Sequence, residues 1–392
     1  MTSVRKNEVL IILRCALHTV GLLCATGPIM QAFLASLGFS SQFLYIHSTL
    51  TQGANILTTF LCSRWADQGS VIRRSALVQL PYAVLYLCYI PLCLWQNPSM
   101  GSFLTLTGIS LLQSVFLALH TVCEYKLPYF VFPPEDTGPV TAICGVMGGL
   151  LSLGSGVVIS RLAGIMSYPR LMCFAAAFCA GMLLLSMFIT FLMRPMPGTP
   201  SVQPTQKRLP LKAALKHPVF YKLVGANLLR GFSSGVTSVM AVVALDLGFG
   251  ETTITALVSF QSAAMLIGCA AYGVLSRFVS SRKLIFWGSL GFLVVPVMLF
   301  AEQWVFFAVF TVMMLGKTVV DYAIPTVLRF AVPVEIAGPY NAWRMMLLNG
   351  GTLLATTLAA FLPVSWLLIL TAVLQFLSGL RYLTLKELRQ AT

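Results

Sequence analysis

Charge is what this sequence has least of. Of 392 residues only 9% are charged, and 11 acids stand against 25 Lys and Arg. A soluble domain carries roughly 25% charged residues. With 58% hydrophobic residues and a mean hydropathy of +0.87, the chain has too little polar surface to cover a water-soluble globule of its size. Its solvent is therefore mostly lipid. Catalytic motifs are missing too. No HExxH, GxSxG or Asp-rich metal pattern occurs, and His120 to Glu124 reads HTVCE, without zinc-binding spacing. This argues against an intramembrane enzyme. Without a GxxxxGK[ST] string, ATP drive is not expected. The 10 cysteines form no CxxC pair and no Cys/His set with zinc spacing. Cys15, Cys24, Cys173, Cys179 and Cys269 lie within apolar runs and read as small packing residues. No disulfide, metal or cofactor is expected. A cleavable leader is not expected either, because the first apolar stretch is about 25 residues, too long for an h-region.

What is present is a series of apolar runs of bilayer-spanning length. A span needs about 20 residues. Runs at 9–34, 43–63, 75–95, 101–125, 139–162, 170–193, 219–245, 252–276, 284–301, 304–330, 340–362 and 364–383 give twelve spans, six and six. Between the sixth and seventh lies a segment rich in proline and basic residues, Met193 to Pro218. It reads as a water-exposed linker. The expected division is 1–193 as an N-terminal six-helix bundle, 194–218 as a cytoplasmic linker and 219–392 as a C-terminal six-helix bundle. The net charge of +14 is not a nucleic-acid signal, because the basic residues sit in short clusters between apolar runs. With both termini in the cytoplasm these clusters are cytoplasmic, and only Arg161 and Arg170 lie opposite. A multi-pass protein of the plasma (cytoplasmic) membrane is expected.

The halves repeat one another. FPPEDTGP, Phe132 to Pro139, returns as VPVEIAGP, Val332 to Pro339. LASLGF (34–39) is echoed by LDLGF (245–249), QGANIL (52–57) by QSAAML (261–266) and CSRW (62–65) by LSRF (275–278). Gly148–Gly149 and Gly350–Gly351 also recur, and all the echoes keep their order. Proline and glycine suit the start of a helix, and glutamate there favours the positive end of its dipole. Local chemistry thus explains part of each string. The common order points to a six-helix duplication.

Twelve spans in two homologous halves with a basic central loop resemble the major facilitator superfamily. Its loop signature is similar to SRWADQGSVIRR, Ser63 to Arg74, with Asp67, Gly69, Arg73 and Arg74 as the matching acid, glycine and basic pair. The spacing from glycine to the basic pair is longer than usual, and the second-half loop, SRFVSSRK, lacks the acid. The resemblance implies an all-α fold of two pseudo-symmetric six-helix bundles that transports by alternating access. It also implies a cytoplasmic gate. The expected gate pairs Glu135 with Arg64, Arg73 or Arg74, and Glu335 with Arg277 or Arg282, and sets Asp67 near Arg344.

Charges inside the membrane cost at least about 2.5–3.5 kcal/mol each on insertion scales, so each needs a reason. Arg14 and His18, His120 and Glu124, Arg230, and Lys317 and Asp321 lie on spans one, four, seven and ten. These helices are the first of each group of three, and the resemblance implies that they line the cavity. Arg14/His18, His120/Glu124 and Lys317/Asp321 are i,i+4 pairs, each on one helix face. Gln113 shares the stripe of His120 and Glu124, and Asn227 that of Arg230; Gln52, Asn55, Gln261, Asn341 and Asn349 add polar groups on spans two, eight and eleven. Spans three, six and nine are nearly apolar and are expected to face lipid, with Ser75, Gln79, Ser186, Thr190 and Ser289 as exceptions. The cavity holds more cations than anions. Arginine's planar fork suits carboxylate and phosphate, so an anionic or strongly hydrogen-bonding solute is expected. His120, Glu124 and Asp321 are the expected proton-coupling groups. Efflux of drugs or sugars is the alternative, and a receptor without transport is a third. The expected partners are a small-molecule substrate, protons and the lipid bilayer, without nucleic acid, for a chain acting as a monomer.

Overall fold

A computed structural model describes residues 3–25, 28–62, 65, 70–95, 99–124, 126–133, 136–196, 215–216, 218–332 and 334–384. Among these residues every regular element is helical. The first half contains Ser3–Ala25 with Pro28–Ser36, Ser41–Leu61, Val71–Trp95 in three short helices, Met100–Glu124, Thr137–Ala163 and Tyr168–Phe191. The second contains Pro218–Ser238 with Met240–Asp246, Glu251–Leu275, Ser281–Leu290 with the 3-10 segment Val295–Phe300, Gln303–Ala331, Val334–Ala359 and Val364–Leu383. These are the twelve expected spans, displaced by a few residues at their ends. Most of the expected linker lies outside the described residues.

Among the described residues eight spans are long and apolar enough to cross a bilayer by length and composition, and the seventh qualifies as a pair of helices bent by 57°. The second and eleventh are more polar because they carry Gln52 and Asn55, and Asn341 and Asn349. The breaks have local causes. In span three they fall at Val78 and Cys88, three residues before Pro81 and Pro91, which remove main-chain donors. Span nine ends as a 3-10 turn that begins at Val295–Pro296.

The duplication is visible in the turns. Gly38 and Gly248, after spans one and seven, both have φ +87°. Phe39 N–H donates to Leu34 O at 3.3 Å, and Phe249 N–H to Ala244 O at 3.0 Å. Both turns close the helix with a 6→1 bond around a left-handed glycine.

Within each half, span one packs on spans five and six, and span seven on spans eleven and twelve. Spans five and eight meet across the two bundles, as do spans two and eleven. A Cβ on Gly149 would lie 2.9 Å from Leu266 Cα, so this crossing needs the bare backbone. On the face opposite the termini the halves are tied by side chains. Gln31 Nε2 donates to Ser238 O at 3.1 Å, and Tyr45 O–H to Asp246 Oδ2 at 2.7 Å. There Pro28–Ser36 packs against Met240–Asp246 and span eight. Among the described residues no comparable packing joins span four to spans ten or eleven.

Spans three, six and nine do present apolar flanks, through Leu80, Val84, Leu87, Leu185, Phe188 and Leu293. Their polar residues turn the other way. Ser75, Gln79, Ser186, Thr190 and Ser289 are fully buried inside their bundles. A helix facing lipid on one side still needs a face for its bundle, and that is where the polar groups go.

Candidate functional site

The membrane charges gather in two clusters, one in each bundle. In the first, both terminal nitrogens of Arg14 on span one donate to the Glu124 carboxylate at the end of span four. Arg14 Nη2 also lies 3.0 Å from His120 Nε2. A guanidinium only donates, so His120 Nε2 is the acceptor in this contact. The His18 ring lies 4.2 Å from His120, tilted by 35°. Ser75 Oγ donates to Glu124 Oε1 at 2.9 Å, and Gln79 Nε2 to the Ser75 carbonyl at 3.1 Å. Thus spans one, three and four supply this cluster, and Ser186 of span six donates to the Arg14 carbonyl at 3.5 Å. Arg14 is 1% exposed, whereas Glu124 keeps 29% of its side chain open. Arg14 Nε, His18 Nδ1, His120 Nδ1 and Gln79 Oε1 are buried with no hydrogen-bond partner among the described residues.

The second cluster centres on Asp321. Arg230 Nη2 of span seven donates to Oδ1 at 2.5 Å, and Lys317 Nζ, one turn away on span ten, donates to Oδ2 at 2.7 Å. Two cations share one carboxylate. Arg230 is nearly buried, but Lys317 and Asp321 are 25% and 29% exposed. All three lie near the middle of their spans, the depth at which substrates bind in transporters with inverted repeats.

The remaining expected residues separate. Asn349 Nδ2 donates to Asn55 Oδ1 at 3.0 Å, which links spans eleven and two across the bundles. Gln52, Gln261 and Asn341 are half-buried. Asn227 turns away from Arg230. It donates to Leu223 O at 2.8 Å and accepts from Tyr382 O–H at 3.3 Å. Gln113 joins a different group, accepting from Tyr89 O–H at 2.8 Å.

Of the expected gate, Arg64, Asp67 and Glu135 lie outside the described residues, and Glu335 falls in the first turn of span eleven. Arg74 donates to the Trp65 carbonyl and sits 4.9 Å above its ring. Arg73 starts span three with an exposed side chain, its N–H capped by Ser70. Arg277 is exposed, Arg282 half-buried and Arg344 buried.

Sequence reasoning passed over several buried polar residues. His47 Nε2 lies 2.9 Å from Ser110 Oγ, which lies 2.7 Å from Tyr89 O–H. Tyr82 and Tyr86 share a hydrogen bond of 3.1 Å. A signal existed: Ser75, Gln79, Tyr82, Tyr86 and Tyr89 recur every three or four residues along span three. Tyrosine counts as apolar in such a reading, which hid the stripe. Among the described residues no group of three His, Cys, Asp or Glu side chains could hold a metal ion.

No family model and no curated protein sequence matches the chain. Solved structures do. A bacterial homologue of the iron transporter ferroportin, outward-facing, aligns at 13% identity and TM-score 0.70 over 97% of this chain and 98% of its own. The same transporter with soaked iron gives 14%, 0.66, 96% and 98%. The D323A mutant of the nucleoside transporter NupG gives 12%, 0.65, 97% and 99%. These neighbours are membrane transporters rather than enzymes. Identity this low establishes fold alone, and with twelve spans in two six-helix bundles the chain has the fold of the major facilitator superfamily.

Proposed function

We propose that the chain is a secondary active transporter that moves a small anionic or strongly hydrogen-bonding solute by alternating access, coupled to protons. One observation carries this reading: Arg230 and Lys317 converge at mid-membrane on the single carboxylate of Asp321. A substrate carboxylate or phosphate would compete with Asp321 for these cations, and arginine's fork suits it. Protonation of Asp321 would remove the competing charge and free both cations, which links proton and anion in one step. Glu124 and His120 form the corresponding proton site around Arg14. The polar pair Asn55–Asn349 and the half-buried Gln52, Gln261 and Asn341 supply neutral contacts between the bundles.

In this reading both termini are cytoplasmic, since the Lys/Arg bias demands it. The tied face is then the outer one, and the cleft opens inward. The charged loop after span two and the starts of spans five and eleven would close that side in the alternate state. The chain acts as a monomer in the plasma membrane.

Thermal unfolding of the detergent-solubilised protein against organic anions, neutral sugars and cationic drugs tests the reading. A ligand that binds only the folded state raises the midpoint by mass action. Stabilisation by an anion class that is lost in Arg230→Ala is expected. Stabilisation by cations or sugars alone would reject the anion site and favour efflux.

A further inference from the structure

We propose that Cys93 and Cys173 are oxidised to a disulfide that ties the outer end of span three to span six. The inference rests on the proposed orientation, with both termini in the cytoplasm. The chain reverses direction from span to span, so the end of span three and the start of span six both reach the face opposite the termini. Cys93 lies two residues before Trp95, where span three ends. Cys173 lies five residues after Tyr168, where span six begins, about 8 Å along the helix. In that orientation both stand near the oxidising side of the membrane, where disulfides form and persist.

The two side chains are already together. Both are free thiols in the structure, and they lie within hydrogen-bonding reach of one another. Cys173 Sγ also donates at 3.7 Å to the carbonyl of Ile90, one turn before Cys93 on the short helix Tyr89–Trp95. This helix is the last of the three in span three, follows the break at Cys88, and packs on span six. A link there would hold the end of a span whose own helix is interrupted. The sulfurs need only close from thiol contact to a bond of about 2 Å.

A second pair of thiols makes the inference specific. Cys15 and Cys144 also lie within hydrogen-bonding reach, and Arg14 Nη1 stands 4.0 Å from Cys15 Sγ. Cys144 is seven residues into span five, counted from its start at Thr137 on the side of the termini. The same orientation places this pair toward the reducing cytoplasm. Of two pairs in like contact, only the outer one should be oxidised.

The oxidant is a disulfide, of a small thiol or of a thiol–disulfide oxidoreductase. Cys173 is half-buried and Cys93 fully buried, so Cys173 is the entry thiol. Its thiolate attacks one sulfur of the oxidant and expels the other. The Cys93 thiolate then attacks Cys173 Sγ and expels the sulfur bound there. One S–S bond forms in the chain as one breaks in the oxidant, and the two thiol protons pass to the two expelled sulfurs. The exchange takes place during folding, before the bundle closes over Cys93.

Alkylation of the full chain tests the link. Membranes prepared without reductant are dissolved in hot SDS with N-ethylmaleimide, and the intact mass is read. Two of the ten cysteines should stay unmodified, and all ten should be modified after prior reduction. Proteolysis should give one cross-linked pair of peptides, carrying Cys93 and Cys173. Cys93→Ser and Cys173→Ser should each leave every remaining cysteine modified, whereas Cys15→Ser should still leave two unmodified. Reductant should lower the unfolding midpoint of wild type and not that of Cys93→Ser, because the link constrains the unfolded chain across spans four and five. If the serine variants fail to fold, the wild-type peptide map decides. An epitope at the C-terminus reads orientation separately, through protease access in inside-out but not right-side-out vesicles. Ten modified cysteines in a chain with cytoplasmic termini overturn the proposal, and so does a link between any other pair. If the termini are external, the orientation reading fails, and purified protein in a glutathione redox buffer decides the pair: a Cys93–Cys173 link upholds it, and free thiols overturn it.

Discussion

The two charge clusters sit on corresponding helices, spans one and four in one bundle and spans seven and ten in the other, yet they are different devices. Arg14 is matched by one carboxylate and backed by two imidazoles. Arg230 shares one carboxylate with a second cation. The charges are not copies either. In the register that aligns Gly38 with Gly248, Arg14 falls opposite Val224 and Arg230 opposite Val20. Duplication kept the turns and the helix order, which every half needs in order to pack. The charges occupy different positions in the two halves, and among the described residues the polar stripe lies in the first half.

The largest expected effect is a difference in stability between the arginines. Removing one partner of a buried ion pair costs about 3–5 kcal/mol. Arg14→Gln leaves Glu124 with no cation beside it among the described residues, and should lose that much. Arg230→Gln leaves Asp321 paired with Lys317 at 2.7 Å, and should lose less than half as much. Binding should reverse the order, with anion stabilisation lost in Arg230→Gln and kept in Arg14→Gln. Unfolding midpoints with and without the anion read both. Equal stability losses would remove the distinction between the clusters.

A smaller contrast lies in the glycines. A Cβ on Gly351 would stand 2.8 Å from Phe232 N, and backbone cannot retreat. One on Gly148 would meet Thr19 Oγ1 at 3.1 Å, a side chain that can rotate. Gly351→Ala should therefore cost about 1–3 kcal/mol, as overpacking does, and Gly148→Ala well under that. The midpoints of the two variants check this, and similar losses would mean that the span one–span five contact is as rigid as the span seven–span eleven contact.

The fold was legible because a bilayer fixes its terms. Twelve runs of about 20 apolar residues can only be spans, and the ordered echoes make them two halves. Lys317–Asp321 could also be read, since i,i+4 residues share a helix face. Arg14–Glu124 could not. Its partners lie 110 residues apart, so the sequence offered Arg14 as a substrate ligand with nothing to show that it is buried in its own bundle. Ser75 and Gln79 read as exceptions on lipid-facing helices, because a polar residue in an apolar helix does not show which way it points. Asn227 shared a stripe with Arg230, but its amide is satisfied by Leu223 and Tyr382. The gate was named from local strings, and three of its members lie outside the described residues.

The smallest prediction tests what the halves still share. Gly38 and Gly248 have the same φ of +87°, and an added Cβ at either would meet nothing within 4 Å. Packing therefore contributes nothing to the substitution, and only the left-handed backbone opposes a side chain. Gly38→Ala and Gly248→Ala should each cost about 1–2 kcal/mol, the penalty of an L-residue in that region. The two losses should be equal within error and should add in the double variant, because neither added Cβ would meet another atom within 4 Å. If one half tolerated alanine and the other did not, the turns would have diverged as the charges did, and the repeat would survive in helix order alone.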